Sequence, residues 1–147
     1  MERCTSESLA AWVRLRQDLW PHASERELRP EAAALLARPN DAVAFIMWGE
    51  QSAAIAFAEA TLRRDYVNGC STCPVAFLEG IYVDPSWRGP GAARLLCNAI
   101  EDWAAGLGCT ELASDVVLHN DASQKAHEAL GFEETERVVY YRKRLSR

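Results

Sequence analysis

The run VAFLEGIYV at residues 75–83 does most to limit what this chain can fold into. Apolar side chains occupy both of its alternating faces, the pattern of a strand covered on two sides rather than one with a wet face. It continues directly into VDPSWRGPGAARLL (83–96), where a turn at Pro85 and the string Arg88-Gly89-Pro90-Gly91 precede an amphipathic helix. A doubly covered strand that feeds a helix needs strands beside it and helices on both sides of the sheet. Gly80 interrupts the run and predicts a bulge or the close approach of another backbone.

The rest of the chain supplies those elements in the order α, α, β, β, β, α, β, α, β, which predicts an α/β fold with a central mixed, mostly antiparallel sheet. Thr5 or Ser6 caps a first helix through Trp20, on a stripe of Leu9, Trp12, Val13, Leu15, Arg16 and Leu19, and Pro21 ends it. Ser24 and Glu27 have capping-box spacing for a second helix to Arg38, which Pro30 divides or kinks. Strands at Val43–Trp48 and Ala53–Arg63 read as a hairpin around Gly49-Glu50-Gln51, and Asn68-Gly69 marks a turn. The helix that starts near Gly91 buries Leu95, Leu96, Ala99, Ile100, Trp103 and Leu107. It leads to a strand at Thr110–Val117, so strand, helix and strand imply a parallel crossover. A last helix covers Asp121–Leu130 and stops at Gly131, and ERVVYYRKRL (136–145) reads as a final strand with a basic end.

At 147 residues the chain is read as one domain, 1–147, with a single core. Its formal charge of -5 argues against a partner such as nucleic acid, whose binding draws on clustered Lys and Arg, and favours either a cationic partner or plain solubility. No stretch has the length of a membrane span, and MERCTSESLAAW has no signal-peptide core, so a cytoplasmic location is expected. Five scattered cysteines in that setting are expected to be reduced thiols. Cys70-Ser-Thr-Cys73 lacks the second pair or nearby His that would complete a zinc site, and the three histidines are far apart, so no metal is expected.

A glycine-rich turn between a strand and a helix presents unpaired amides at the positive end of a helix dipole, which suits phosphate. Arg88 adds a guanidinium fork. The alternative is a tight turn carrying an ordinary surface Arg. The string is neither of the two common nucleotide loops. It resembles the R/Q-x-x-G-x-G/A signature of the GNAT acyltransferases, and Asn120 with Leu130-Gly131-Phe132 resembles that family's later CoA-side segment. The resemblance implies that acetyl-CoA is the co-substrate. It further implies that Arg88, Gly89, Gly91, Ala92 and Ala93 hold the diphosphate, that Ile81, Tyr82 and Val83 pair with the pantetheine arm, and that Asn120 belongs to the CoA side.

Within the family, DYVNGC (65–70), FLEGIYV (77–83), ASD (113–115), SQKAHEALGFEETERV (123–138) and YYRKR (140–144) are similar to the aminoglycoside 6'-N-acetyltransferases of antibiotic resistance. That similarity implies a cationic aminoglycoside substrate, contacts at Trp20, Tyr66, Glu79, Asp115 and Glu136, and a homodimer in which Tyr66 reaches the neighbouring site. Two departures stand out: Pro90 removes an amide donor from the loop, and His127 stands where most of the family has a tyrosine that protonates the departing thiolate.

Physical chemistry bears on several of these positions. Ammonium groups entering a cleft need carboxylate partners. Glu79 lies in an otherwise apolar strand, where a carboxylate is costly unless something binds it; otherwise it is a bulge or edge residue meeting solvent or Arg. Asp115 ends a parallel-type strand, where open sheets gather ligand groups. Glu136 sits in a charged turn. The amine must shed a proton before attack, and Glu79 or Asp115 is the expected acceptor. His127 is either a proton donor to the CoA thiolate or a packing residue on its helix. A relative acting on polyamines or protein N-termini, and a non-catalytic CoA-binding module, share these features.

Overall fold

The structure, a computed structural model, describes every residue except Pro90 and Arg147. The expectation that Pro90 removes an amide donor therefore lies outside the described residues. The chain divides into two compact units, Met1–Asp115 and Val116–Arg147.

The first unit holds β1 (Glu2–Arg3), α1 (Leu9–Leu19), α2 (Glu25–Leu36), β2 (Ala42–Trp48), β3 (Ala54–Arg63), β4 (Val75–Val83), α3 (Ala92–Gly106) and β5 (Leu112–Ser114). The strands lie in the order β1-β2-β3-β4-β5, with β4 and β5 parallel and the other pairs antiparallel. This is the mixed, mostly antiparallel sheet that the sequence predicts. α1 and α2 cover one face, where Trp12, Leu15, Leu28, Ala44, Ile46 and Phe57 form a core. Ala56, Ala58 and Ala60 turn to the other face and are fully buried, and α3 crosses β2, β3 and β4 there. Small residues at these positions let the helix approach the sheet closely.

Local chemistry explains most boundaries. α2 begins with the expected capping box, in which the Ser24 hydroxyl accepts from the Glu27 amide and the Glu27 carboxylate from the Ser24 amide. Pro30 is accommodated inside the helix without ending it. α1 starts later than expected, because Thr5 and Ser8 satisfy each other in a turn of their own. The Ser8 hydroxyl accepts from the Thr5 amide and donates to the Thr5 carbonyl.

Three expectations are corrected. The buried stripe of α3 is Ala92, Leu96, Cys97, Ile100 and Ala104, while Leu95 and Leu107 are exposed. Leu95 lies five residues before Ile100, about 140° around the helix from the centre of the buried stripe, which turns it away from the sheet. The Thr110–Val117 strand is reduced to Leu112–Ser114, since β5 keeps its ladder with β4 only from Ala76 to Leu78. The final strand at 136–145 is not formed: the described residues from 133 onward carry no regular structure, and Val139, Tyr140 and Tyr141 are exposed. A single extended segment has no ladder to satisfy its amides unless a sheet edge lies beside it. Among its described residues the second unit carries one helix, α4 (Asp121–Ala129), ending before Gly131, whose φ is 96°.

The core contains one ion pair that the sequence did not announce. Arg16 of α1 and Glu59 of β3 are both buried, and the guanidinium grips the carboxylate through Nε at 3.0 Å and Nη2 at 3.1 Å. Trp12 Nε1 donates to the same carboxylate at 2.9 Å, and Arg16 Nη1 donates to the Leu28 carbonyl of α2 at 2.8 Å. Burial pushes the Glu59 carboxyl up from its ordinary range, while Arg16 and then Trp12 hold that rise back. Replacing Arg16 by Met strands a buried carboxylate, and urea unfolding is expected to report a loss of about 3–5 kcal/mol. The double variant Arg16→Met/Glu59→Gln is expected to regain most of it; equal losses in both would contradict this account.

Candidate functional site

β4 is paired with β3 from end to end, but with β5 only through Leu78, opposite Ser114. Among the described residues of the sheet, no strand flanks the β5 side of β4 from Glu79 to Val83. The sheet therefore splits at this point. The same place carries a register shift: Glu59 pairs with Gly80 and Ala60 with Leu78, so Glu79 is the extra residue of a bulge. The Ser114 hydroxyl donates to the Leu78 carbonyl at 3.3 Å, closing the last shared rung. Glu79 and Asp115, each one residue beyond that rung, are thus brought to the mouth of the split.

Gly80 has a steric purpose. A Cβ there would stand 2.8 Å from the Trp20 ring and 3.1 Å from Leu19. Trp20 sits at the C-terminal end of α1, edge-on to Phe57 with centroids 6.4 Å apart and with the Arg16 guanidinium 5.0 Å over its ring. The buried ion pair thus supports the wall on which Trp20 leans over the bulge. Glu79 itself is partly exposed. Its Oε1 accepts from the Thr61 hydroxyl at 2.6 Å and from Arg63 Nη2 at 2.9 Å. Tyr66, on the loop between β3 and β4, is 77% exposed and is not brought against Glu79 by any contact seen among the described residues.

Past β4 the chain is pinned before it turns. The Asp84 amide donates to the Ile55 carbonyl at 2.7 Å, its carboxylate accepts from the Ser86 amide, and Trp87 lies against Gly49. Arg88 Nε donates to the Val83 carbonyl at 2.8 Å, which fixes the guanidinium at the exit of the strand, 5.7 Å over the Tyr82 ring. Burial raises the Tyr82 hydroxyl above its ordinary value, with Asp18 and Asp84 adding to the rise. Gly89 and Gly91 have φ of 98° and 90°, the left-handed region that costs other residues strain. Gly91 is the N-cap of α3 and offers no side-chain cap to the amides that follow. Ala92, the first residue of the helix, is buried and Ala93 half-buried. A helix start without a side-chain cap, a guanidinium held at the strand exit and an open strand edge fit a diphosphate joined to an extended arm.

In the second unit, Asn120 caps α4, its amide oxygen accepting from the Ser123 backbone at 3.0 Å. His127 Nδ1 lies 2.7 Å from the Ser123 carbonyl, and its ring stands 5.2 Å from Phe132. A carbonyl only accepts, so Nδ1 carries the proton and Nε2 donates only when the ring is the imidazolium. Glu136 is exposed in the irregular segment. Residue-type reasoning overlooked Glu59, Thr61 and Arg63. The available signal was a second Glu and an Arg in AIAFAEATLR, another apolar strand where carboxylates require partners.

All five cysteines are free thiols. Burial is the main cause that pushes Cys4 and Cys97 up to about 12, with Glu101 adding to it at Cys97. Thiolate is the reactive form, so these two are poor nucleophiles at neutral pH. Alkylation at neutral pH followed by peptide mapping is expected to mark exposed Cys73 first and to spare Cys4 and Cys97 until the protein is unfolded. Early modification of Cys97 would contradict its burial.

Residues 9–132 match the acetyltransferase (GNAT) family. The chain is 50% identical to an aminoglycoside N(6')-acetyltransferase type 1 of Serratia marcescens, over 97% of each chain. It resembles the solved structure of AAC(6')-Iy in complex with the bisubstrate analogue CoA-S-monomethyl-acetylneamine, at 44% identity and TM-score 0.91, covering 98% of this chain and 97% of that one. It also resembles the ligand-free aminoglycoside antibiotic 6'-N-acetyltransferase AAC(6')-IG of Acinetobacter haemolyticus, at 43% identity and TM-score 0.93, with 99% and 98% covered.

Proposed function

Because the chain belongs to the acetyltransferase (GNAT) family, we propose that it transfers the acetyl group of acetyl-CoA to the 6'-amine of an aminoglycoside, and so confers resistance to that antibiotic. The observation that carries this reading is the split beside β4, which has carboxylates at its mouth and leads to the Arg88–Gly91 turn. The whole chain acts as one acetyltransferase domain. The open edge of Ile81, Tyr82 and Val83 takes the pantetheine arm, and Arg88, Gly89, Gly91, Ala92 and Ala93 take the diphosphate. Asn120 contributes from the CoA side.

Trp20, Tyr66, Glu79, Asp115 and Glu136 receive the cationic acceptor. Glu79 meets the acceptor as an ammonium partner, with Thr61 and Arg63 already on its Oε1. Asp115, exposed just after β5, takes the proton through water, and backbone amides at the split polarise the thioester carbonyl. His127 returns a proton to the CoA thiolate. Attack is direct while both substrates are bound, in keeping with a Cys4 and a Cys97 that burial leaves poor nucleophiles.

Among the described residues no helix is long and apolar enough to cross a membrane, in keeping with a cytoplasmic enzyme. Exposed Tyr66 and the exposed Val139-Tyr140-Tyr141 stretch support a homodimer in which Tyr66 reaches the neighbouring site.

Thiol release from acetyl-CoA is expected with aminoglycosides that carry a 6'-amine and not with those that lack it. Asp115→Asn is expected to lower kcat by about a hundredfold, and Glu79→Gln to raise the acceptor KM. Turnover of spermidine-type amines alone would replace the aminoglycoside reading, and turnover of no amine would leave a CoA-binding module.

A further inference from the structure

Arg63, at the end of β3, is placed with more precision than a surface residue needs. Its guanidinium carbon lies 3.5 Å from the centroid of the Phe77 ring, close enough for a cation–π contact. Phe77 is itself buried and pairs with Thr61 across the β3–β4 ladder. From this seat Arg63 reaches along β4 to the bulge, where Nη2 meets Glu79 Oε1 at 2.9 Å, on the oxygen that also accepts from Thr61 at 2.6 Å. Both donors converge on Oε1, and no hydrogen bond to Oε2 is seen among the described residues. The side chains of Arg63 and Glu79 are 42% and 29% exposed, so the pair sits at the mouth of the split and not in the core.

Two carboxylates of the sheet thus each have their own guanidinium: Glu59 with Arg16 inside, and Glu79 with Arg63 at the surface. The inner pair is needed to bury charge. The outer one is not, since water reaches Glu79. A cation held there repels any ammonium that approaches the same carboxylate and makes it give up part of the attraction Glu79 offers.

We propose that Arg63 is a resident cation that competes with the incoming ammonium for Glu79 and thereby sets how tightly a cationic acceptor is held. This inference rests on the function proposed above and assigns a specificity-determining residue to it. An acceptor with several ammonium groups outcompetes Arg63 by also engaging Asp115, whereas an acceptor with one cannot.

The test compares steady-state kinetics of the wild type, Arg63→Met, Arg63→Gln and Arg63→Lys, with the same Arg63 changes repeated in a Glu79→Gln background. Met keeps an apolar contact to Phe77, Gln keeps a donor for Glu79 without the charge, and Lys keeps the charge. Arg63→Met and Arg63→Gln are expected to lower the aminoglycoside KM by about three- to tenfold, the scale of one partly screened charge at contact range. The KM for acetyl-CoA stays as in the wild type, and Arg63→Lys stays close to it. The decrease disappears when Glu79 is already Gln. An acceptor KM that is unchanged or raised in the folded Met and Gln variants, even with a lower Tm, overturns the inference. So does an equal decrease in the Glu79→Gln background. Loss of acceptor turnover in the wild type would instead remove the proposed function, and this inference with it. An acceptor KM that Glu79→Gln leaves unmoved would remove Glu79 from the site.

Discussion

Strand β4 is zipped to β3 along its full length and to β5 only at its start, and the rest of the structure follows from this unequal pairing. A parallel neighbour that leaves after Leu78 opens an edge of backbone along the second half of β4. Backbone donors and acceptors in such a position need a partner. The bulge at Glu79 twists the strand at the same point, so the opening and the carboxylate are produced by one irregularity. The exit of β4 is pinned by Arg88, and α3 then starts at Gly91 without a side-chain cap. A ligand with an extended amide-bearing arm and a diphosphate matches both parts in order.

A sheet opened in this way needs support beside the gap, and charge supplies part of it. Arg16 joins α1, α2 and β3 through one side chain, and it lies against Trp20, whose ring occupies the space a side chain at position 80 would claim. The absence of a Cβ at Gly80, the aromatic wall and the buried ion pair are therefore one packing unit. Glu59 and Glu79 are close enough for Glu79 to raise the Glu59 carboxyl, and each carboxylate is met by its own guanidinium. One pair holds the fold and the other faces the proposed substrate.

What could be read from the sequence was what depends on local spacing. The Ser24/Glu27 cap, the hairpin of β2 and β3, the bulge implied by Gly80 and the helix start after Gly91 all lie within a few residues of their cause. Glu79 was read with both its readings open, and the structure supplies the Arg that one of them named. The Arg16–Glu59 pair was not legible, because its partners are 43 residues apart and the fold alone brings them together. β1 is two residues long, too short for any periodicity to register. The final strand misled because β-branched and aromatic residues report a preference for extended backbone, not the presence of an edge to pair with. Leu95 misled because a run of apolar residues does not show where the buried stripe is centred, and Leu95 falls about 140° from Ile100 around the helix.

The most direct test of the split-sheet account is calorimetric titration of CoA into the folded chain and into Arg88→Ala. The account predicts saturable binding of one CoA per chain, markedly weaker once the guanidinium at the exit of β4 is gone. A wild-type protein that gives no saturable heat with CoA would contradict it.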